Sequence, residues 1–315
     1  MRVMVTGAGT PLGAAFVGIL QQDPRVERVL AVGHERDEPV LPGPGVRWVT
    51  ADLRRARSLH DLVWGPARNE EIDVVIHGLD GRDIRCAPLL VRESEDHPSI
   101  RRFVYRSSSD VYSFHKTATN LIDEDAAVDF DPTRPPGIRE RVEADVAVCS
   151  RFGGSLAIAV LRCAEIFSSG VESQLWDYVQ SRVCLRPMGF DPMINLLSLE
   201  DALSAFAAAL HGPATGVLNI VGRDTLPLSE LVIESSRLDV PVPGPLLSPL
   251  YRLRRRVAGF DFRYDVNRWK LHFGGILDGS RAARELGYVP MKSVTWPRPW
   301  WLQLVAKLSA RLSTT

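Results

Sequence analysis

The sequence predicts an α/β fold built on a doubly wound parallel sheet, and three observations predict it. Short apolar runs alternate with segments of helical period through the first half of the chain. Runs such as Asp73-Val-Val-Ile-His77 are apolar on successive residues, as a strand covered on both faces must be. The first run ends in a glycine-rich turn that opens a helix.

Taken in order, Arg2–Thr6 is the first strand, Gly7–Gly13 the turn, and Ala14–Leu20 carries helical periodicity. Thr10 before Pro11 reads as an N-cap followed by a proline in the first turn, where its missing N–H costs nothing. Further strands are expected at Arg28–Gly33, Val46–Thr50, Asp73–His77, Arg102–Arg106 and Leu156–Leu161. Helices are expected between them at Ser58–Trp64, Pro88–Glu95 and Ile138–Ser150. After about Glu165 the alternation loosens. A helix at Leu199–Leu210, a strand at Gly216–Val221 and a helix at Leu228–Arg237 precede the turn-rich Pro241–Pro245.

Bulk composition sets the class. The 315 residues are 45% apolar and 24% charged, enough for a large core without disulfides or metals. The 38 basic and 38 acidic residues cancel, which argues against a nucleic-acid binder. Cys86, Cys149, Cys163 and Cys184 form no Cys-x-x-Cys pair and read as buried free thiols; no spacing reads as a metal site. Met1–Thr6 runs straight into a strand, and no apolar run reaches the ~20 residues that cross a bilayer, so a cytoplasmic protein is expected.

The turn at residues 7–13 is a candidate dinucleotide site. Glycines let the backbone approach a pyrophosphate, and the helix end offers free N–H groups to it. Glu35, beyond the second strand, stands where a carboxylate would hold the adenosine ribose. Arg36 beside it would instead meet a 2′-phosphate, so NAD and NADP both stay open; the bland alternative is a solvated pair. Asp52 after the third strand accepts from an adenine amino group or caps the next helix.

Several segments together resemble the extended short-chain dehydrogenases/reductases, in their NAD-dependent epimerase/dehydratase branch. They are Val5-Thr-Gly-Ala-Gly-Thr-Pro-Leu-Gly13, Ala51-Asp-Leu53, Asp73–His77, Arg102–Tyr112, Leu161-Arg162, Gly216–Asn219 and Ala283–Pro290. The resemblance implies a Rossmann-type dinucleotide-binding domain over residues 1–165. A smaller substrate domain over 166–294 would return elements to the sheet, and 295–315 would form an amphipathic tail. It implies NAD or NADP, with NAD slightly favoured, held by Gly7, Gly9, Thr10, Pro11, Leu12, Gly13, Glu35, Arg36, Asp52, Leu53 and Arg141. The implied substrate is a nucleotide sugar or similar hydroxyl compound. Ser108 matches the family's catalytic Ser/Thr, Asp110 an acidic residue of some sugar dehydratases, and Tyr112 a structural tyrosine. A plain hydrogen-bonded turn is the alternative for these three.

Three departures from the pattern stand out. Thr10 replaces the middle glycine, and its Cβ would crowd a pyrophosphate or resist a positive φ. The family's Tyr-x-x-x-Lys pair is absent; Gly137 and Arg141 stand at those positions. Glycine has no proton to transfer, and arginine is never deprotonated. The stretch Gly78–Arg101 is short, and no asparagine-bearing helix is recognisable there. His115, Lys116 and Tyr105 are the candidate substitutes for the missing tyrosine. An enzyme and a non-catalytic binding or scaffold protein are therefore both expected readings.

Two C-terminal segments are amphipathic. Residues 246–260 place four arginines among Leu247, Leu250, Leu253 and Val257, a pattern for an anionic membrane surface, for gripping a phosphorylated substrate, or for a surface helix paired with acids. Trp300, Trp301, Leu304, Leu308 and Leu312 share one face of the tail, which would dock on its own domain, on the second subunit of a homodimer, or at a lipid interface.

Overall fold

A computed structural model describes residues 1–39, 43–114, 121–259 and 261–299. Seven parallel strands form the central sheet. In chain order the first five are β1 (Arg2–Thr6), β2 (Arg28–Gly33), β3 (Val46–Thr50), β4 (Val74–His77) and β5 (Arg102–Ser108). A two-residue β6 (Leu121–Ile122) precedes β7 (Ala157–Cys163). Next come β8 (Glu165–Ile166), β9 (Val183–Pro187), β10 (Met193–Leu197) and β11 (Gly216–Ile220), the last of which joins the central sheet. The order across it is β11-β7-β5-β4-β1-β2-β3. The opening strand thus lies inside a parallel sheet, between β2 and β4.

Helices cover both faces because every central strand is apolar on both sides. On one face α1 (Pro11–Gln22) packs with α6 (Leu199–His211), and Phe16 meets Phe206 edge to face at 5.7 Å. On the other lie α2 (Ala56–Leu62), α3 (Ala87–Glu95) and α4 (Pro136–Cys149). The helix expected at Ser58–Trp64 starts two residues earlier and runs on as a wider turn over Val63–Ala67, where Pro66 cannot donate an ordinary helical bond. The short stretch after β4 folds as a tight turn over Gly81–Cys86 that leads directly into α3.

A third core is drawn entirely from residues between Phe167 and Trp296. It gathers α5 (Gln174–Val179), α7 (Leu228–Glu234), α8 (Gly244–Ala258) and α9 (Tyr264–His272) around small sheets. Those sheets pair β10 with β8 and β12 (Asp224–Pro227), and β9 with β13 (Leu238–Val242). The pair of β14 (Ile276–Leu277) with β6 and the helix α10 (Ser280–Leu286) tie the C-terminal part back to the rest. None of these short strands was legible in the sequence, whereas β11 of the central sheet was. Residues 300–315, with the tryptophan tail, and His115 and Lys116 lie outside the described residues.

Candidate active site

The glycine turn follows from three local constraints. Gly7 has φ +73°, a conformation side chains resist. A Cβ on Gly13 would lie 2.1 Å from the Gly7 carbonyl oxygen, so only glycine lets α1 start this close to β1. Thr10 has φ −82°, so the middle position needs no left-handed backbone, and that sequence-based objection falls away. The Thr10 hydroxyl donates to the Gly7 carbonyl at 2.8 Å and accepts from the Gly13 N–H at 3.0 Å. It caps α1 and stitches the turn, at the cost of one free amide.

Other expected cofactor residues are placed differently. Pro11 is exposed and Leu12 is buried in the core. Glu35 and Arg36 sit exposed in the turn after β2. Asp37, two residues on, lies against Gly9: a Cβ there would come within 2.4 Å of the Asp37 side chain. Asp52 accepts from the Arg54 N–H at 3.2 Å and from its side chain at 3.0 Å, a turn ahead of α2, and Arg54 holds its carboxyl below the usual range. Leu53 is buried in the core that also holds Leu30 and Val32.

Beside the turn, Arg82 bridges two carboxylates, Asp80 at 2.6 Å and Asp37 at 2.9 Å. His34 faces Asp83 at 3.1 Å and Asp80 at 3.6 Å. Burial pushes the Asp83 carboxyl up to about 6. Beneath, His77 meets the Thr6 hydroxyl at 2.7 Å, and burial lowers its imidazole to about 4, so it is neutral at pH 7.

A second pocket opens where β4, β5 and β7 end. Gly78, Tyr105, Ser108, Asp110, Arg141, Glu165 and Glu172 line it. Carboxyl ends of parallel strands are where open α/β sheets bind ligands. Ser108 accepts from the Asp110 N–H at 3.2 Å, which fixes the short turn Ser109–Val111. Arg141 reaches Asp110 at 2.8 Å and Glu172 at 3.7 Å. Lys270, from α9, lies 2.8 Å from Asp110 and 2.5 Å from Glu165. Glu165 also accepts from the Leu175 N–H at 2.5 Å and the Ser173 hydroxyl at 2.9 Å.

This network sets charge states. Burial alone would lower Lys270, but Asp110 and Glu165 outweigh it and hold the ammonium above its ordinary range. Burial alone would raise Asp110, but Lys270 and Arg141 outweigh it and hold the carboxyl below its range. Burial raises Tyr105, which stacks on His77 with ring centroids 5.9 Å apart. At pH 7 Lys270 is an ammonium, Asp110 a carboxylate and Tyr105 a neutral phenol. A Cβ on Gly137 would meet nothing within 4 Å, so space stands open where the resemblance places a tyrosine.

Tyr112 and Ser107 belong to the framework. Tyr112 donates to Asn219 at 2.7 Å, and the Arg162 guanidinium lies 4.8 Å from its ring centre. Arg162 and Ser107 both bond the fully buried Asp145, at 2.6 and 2.5 Å.

No family model matches the chain. Uncharacterized proteins of Mycobacterium tuberculosis (strain ATCC 25618 / H37Rv) and Mycobacterium bovis are 28% identical over 309 residues, 91% of this chain and 80% of theirs. Among solved structures, UDP-glucuronic acid 4-epimerase from Bacillus cereus, in complex with UDP-glucuronic acid and NAD, superposes with a TM-score of 0.65. It is 17% identical, with 93% of this chain and 95% of that one covered. dTDP-glucose 4,6-dehydratase from Bacillus anthracis, in complex with NAD, gives 0.66 at 14% identity, covering 93% and 92%. The chain shares their fold.

Sequence reasoning missed Asp37, Arg82, Glu165 and Lys270. Asp37 was two residues from the position chosen, and the mutual approach of loops after β2 and β4 would have singled it out. Lys270 sits in an ordinary polar helix segment 105 residues from Glu165, and no spacing signals it.

Proposed function

We propose that the chain binds NAD across the glycine turn and uses it in epimerase- or dehydratase-like redox chemistry on a nucleotide sugar or similar hydroxyl compound. The observation that carries this reading is that the glycine turn and a pocket lined by Ser108, Asp110 and Arg141, with Lys270 paired to Asp110, lie at the same edge of the sheet. A pyrophosphate would meet the turn at the start of α1, which Gly13 lets pack directly against Gly7, with Asp37 lying against Gly9 and Asp80 against Gly7. Gly7, Gly9, Thr10, Pro11, Leu12 and Gly13 hold the phosphates through their backbone. Asp37, rather than Glu35, takes the adenosine ribose hydroxyls, and its charge disfavours a 2′-phosphate, so NAD is preferred over NADP. Asp52, Leu53 and Arg36 border the adenine side.

Bound NAD supplies hydride acceptance from a carbinol carbon. Ser108 holds the reacting hydroxyl, and Arg141 holds the ribose or a substrate phosphate. Lys270 and Asp110 stay charged at pH 7 and fix Arg141 rather than move protons. The proton passes to water in the open space above Gly137. Without a positioned acid/base the reaction runs about 10²–10⁴-fold below one that has it.

A second reading, a binding or sensing protein that kept the fold, is favoured by Gly137 and Arg141 at the two expected catalytic positions. Calorimetric titration with NAD and NADP tests the first reading: no heat with either sinks it. Hydride transfer from any sugar nucleotide to NAD, abolished by Ser108→Ala with NAD affinity intact, sinks the second.

We also infer peripheral contact of α8 with an anionic membrane surface. Leu247 and Tyr251 point into the core, whereas Leu246, Leu250, Leu253 and Val257 form an exposed stripe, with Arg252, Arg255 and Arg256 exposed on the same helix. Apolar burial and arginine–lipid attraction act together on such a face. Flotation with phosphatidylglycerol vesicles should carry the protein up, and Leu250→Glu with Leu253→Glu should leave it at the bottom. Equal flotation of both proteins removes α8 as the contact.

A further inference from the structure

We propose that His34, Asp80 and Asp83 form a divalent-cation site beside the glycine turn. Topology assembles it: His34 follows β2, and Asp80 and Asp83 follow β4, the two strands that flank β1. The three residues are 9%, 4% and 2% exposed. One ligand atom from each lies within 4.8 Å of the others, the one such group among the described residues.

The spacing suits a metal better than a hydrogen bond. His34 Nε2 is 3.1 Å from Asp83 Oδ1 and 3.6 Å from Asp80 Oδ2. Two ligand atoms each about 2.1 Å from a tetrahedral zinc ion sit about 3.4 Å apart. Yet His34 Nε2 and Asp83 Oδ1, both buried, have no partner in hydrogen-bond geometry. A buried carboxylate oxygen without a partner is costly, and native proteins rarely leave one. A cation placed between the two satisfies both at once.

Charge points the same way. Asp37, Asp80 and Asp83 crowd one spot, and Arg82 is already shared by Asp37 and Asp80. Asp83 is left with a histidine. Imidazole plus two carboxylates is a donor set for zinc or manganese, and it is borderline rather than soft. A Cβ on Gly7 would lie 2.8 Å from the Asp80 Cβ, so the site walls the turn itself. A cation here adds positive charge beside a place suited to phosphate oxygens. The inference does not depend on NAD binding, because its test uses the metal alone.

The test uses the full chain, stripped with chelator and dialysed. Manganese is titrated in and read by the loss of the free-ion electron paramagnetic signal; zinc is read against a chromophoric chelator. One equivalent of either should bind. Asp83→Asn, nearly isosteric, and His34→Gln should each weaken binding by about 10-fold or more, while Asp52→Asn changes nothing. Thermal melting gives a second readout: the cation should raise the wild-type melting temperature and leave Asp83→Asn unmoved. Binding by Asp83→Asn equal to wild type, or no stoichiometric binding by wild type, overturns the proposal.

Discussion

Two charged clusters, each with a buried centre, sit at the same edge of the sheet, and they differ in balance. In one, Asp110, Glu165 and Glu172 face Lys270 and Arg141. In the other, Asp37, Asp80 and Asp83 face Arg82 and the titratable His34. The first is nearly neutralised, and Lys270 and Asp110 in it are each held in the charged form. The second is short of positive charge, and part of it is unpaired. Balanced clusters hold their members in place, because each charge already has a counter-charge. Unbalanced clusters invite a proton, a metal or a cationic partner. That contrast gives Lys270 and Asp110 the task of positioning Arg141, and makes the Asp83 cluster the one that would respond to a cation.

The largest expected effect falls on the balanced cluster. Lys270→Met leaves Asp110 and Glu165 buried together without their shared cation, a loss of about 3–5 kcal/mol. Thermal melting should show it, and adding Asp110→Asn to the same protein should restore part. If Lys270→Met melts like wild type, the cluster is not balanced by that ammonium and the contrast fails.

Next comes pH, through the floor between the clusters. Burial holds His77 at about 4, below its unfolded value near 6.5. Below 6.5 the unfolded chain binds more protons, so this contribution is complete above 6.5 and is lost as pH falls toward 4. The size is about 3 kcal/mol. Chemical denaturation at pH 7 and pH 4.5 should show the fall, and His77→Gln should flatten it. An unchanged slope in His77→Gln would assign the acid sensitivity to other groups.

Arg82→Met sharpens the comparison from the other side. Arg82 is half-exposed, so water screens its two ion pairs. The loss should be about 2 kcal/mol, smaller than at Lys270. A larger loss than at Lys270 would reverse the ranking. The smallest effect is expected at Thr10→Ala, about 1 kcal/mol from the lost cap on α1, read by the same melts.

How much of this was legible follows from sequence separation. The turn at residues 7–13, its cap at Thr10 and the strands around it are contiguous, and local backbone chemistry marks them. Ser108 was legible only through the resemblance, since the strand expected from the residues alone stopped at Arg106 and the observed one runs to Ser108. Arg141 was legible only as a departure from a pattern. Asp37, Arg82 and Lys270 were not, because a carboxylate or a cation in a loop or polar helix looks the same whether it faces water or a site. The substitution at Thr10 was over-read: the backbone there is extended, so the middle glycine was dispensable for conformation.

By itself the sequence determined the parallel sheet, its helices and the glycine turn, since periodicity and glycine chemistry act between near neighbours. Only the tertiary structure decided which charges meet. Lys270 reaches Asp110 and Glu165, and His34 reaches Asp83, because chain crossovers bring distant loops to one sheet edge. Burial there turns ordinary solvated charges into a network whose energy depends on its partners.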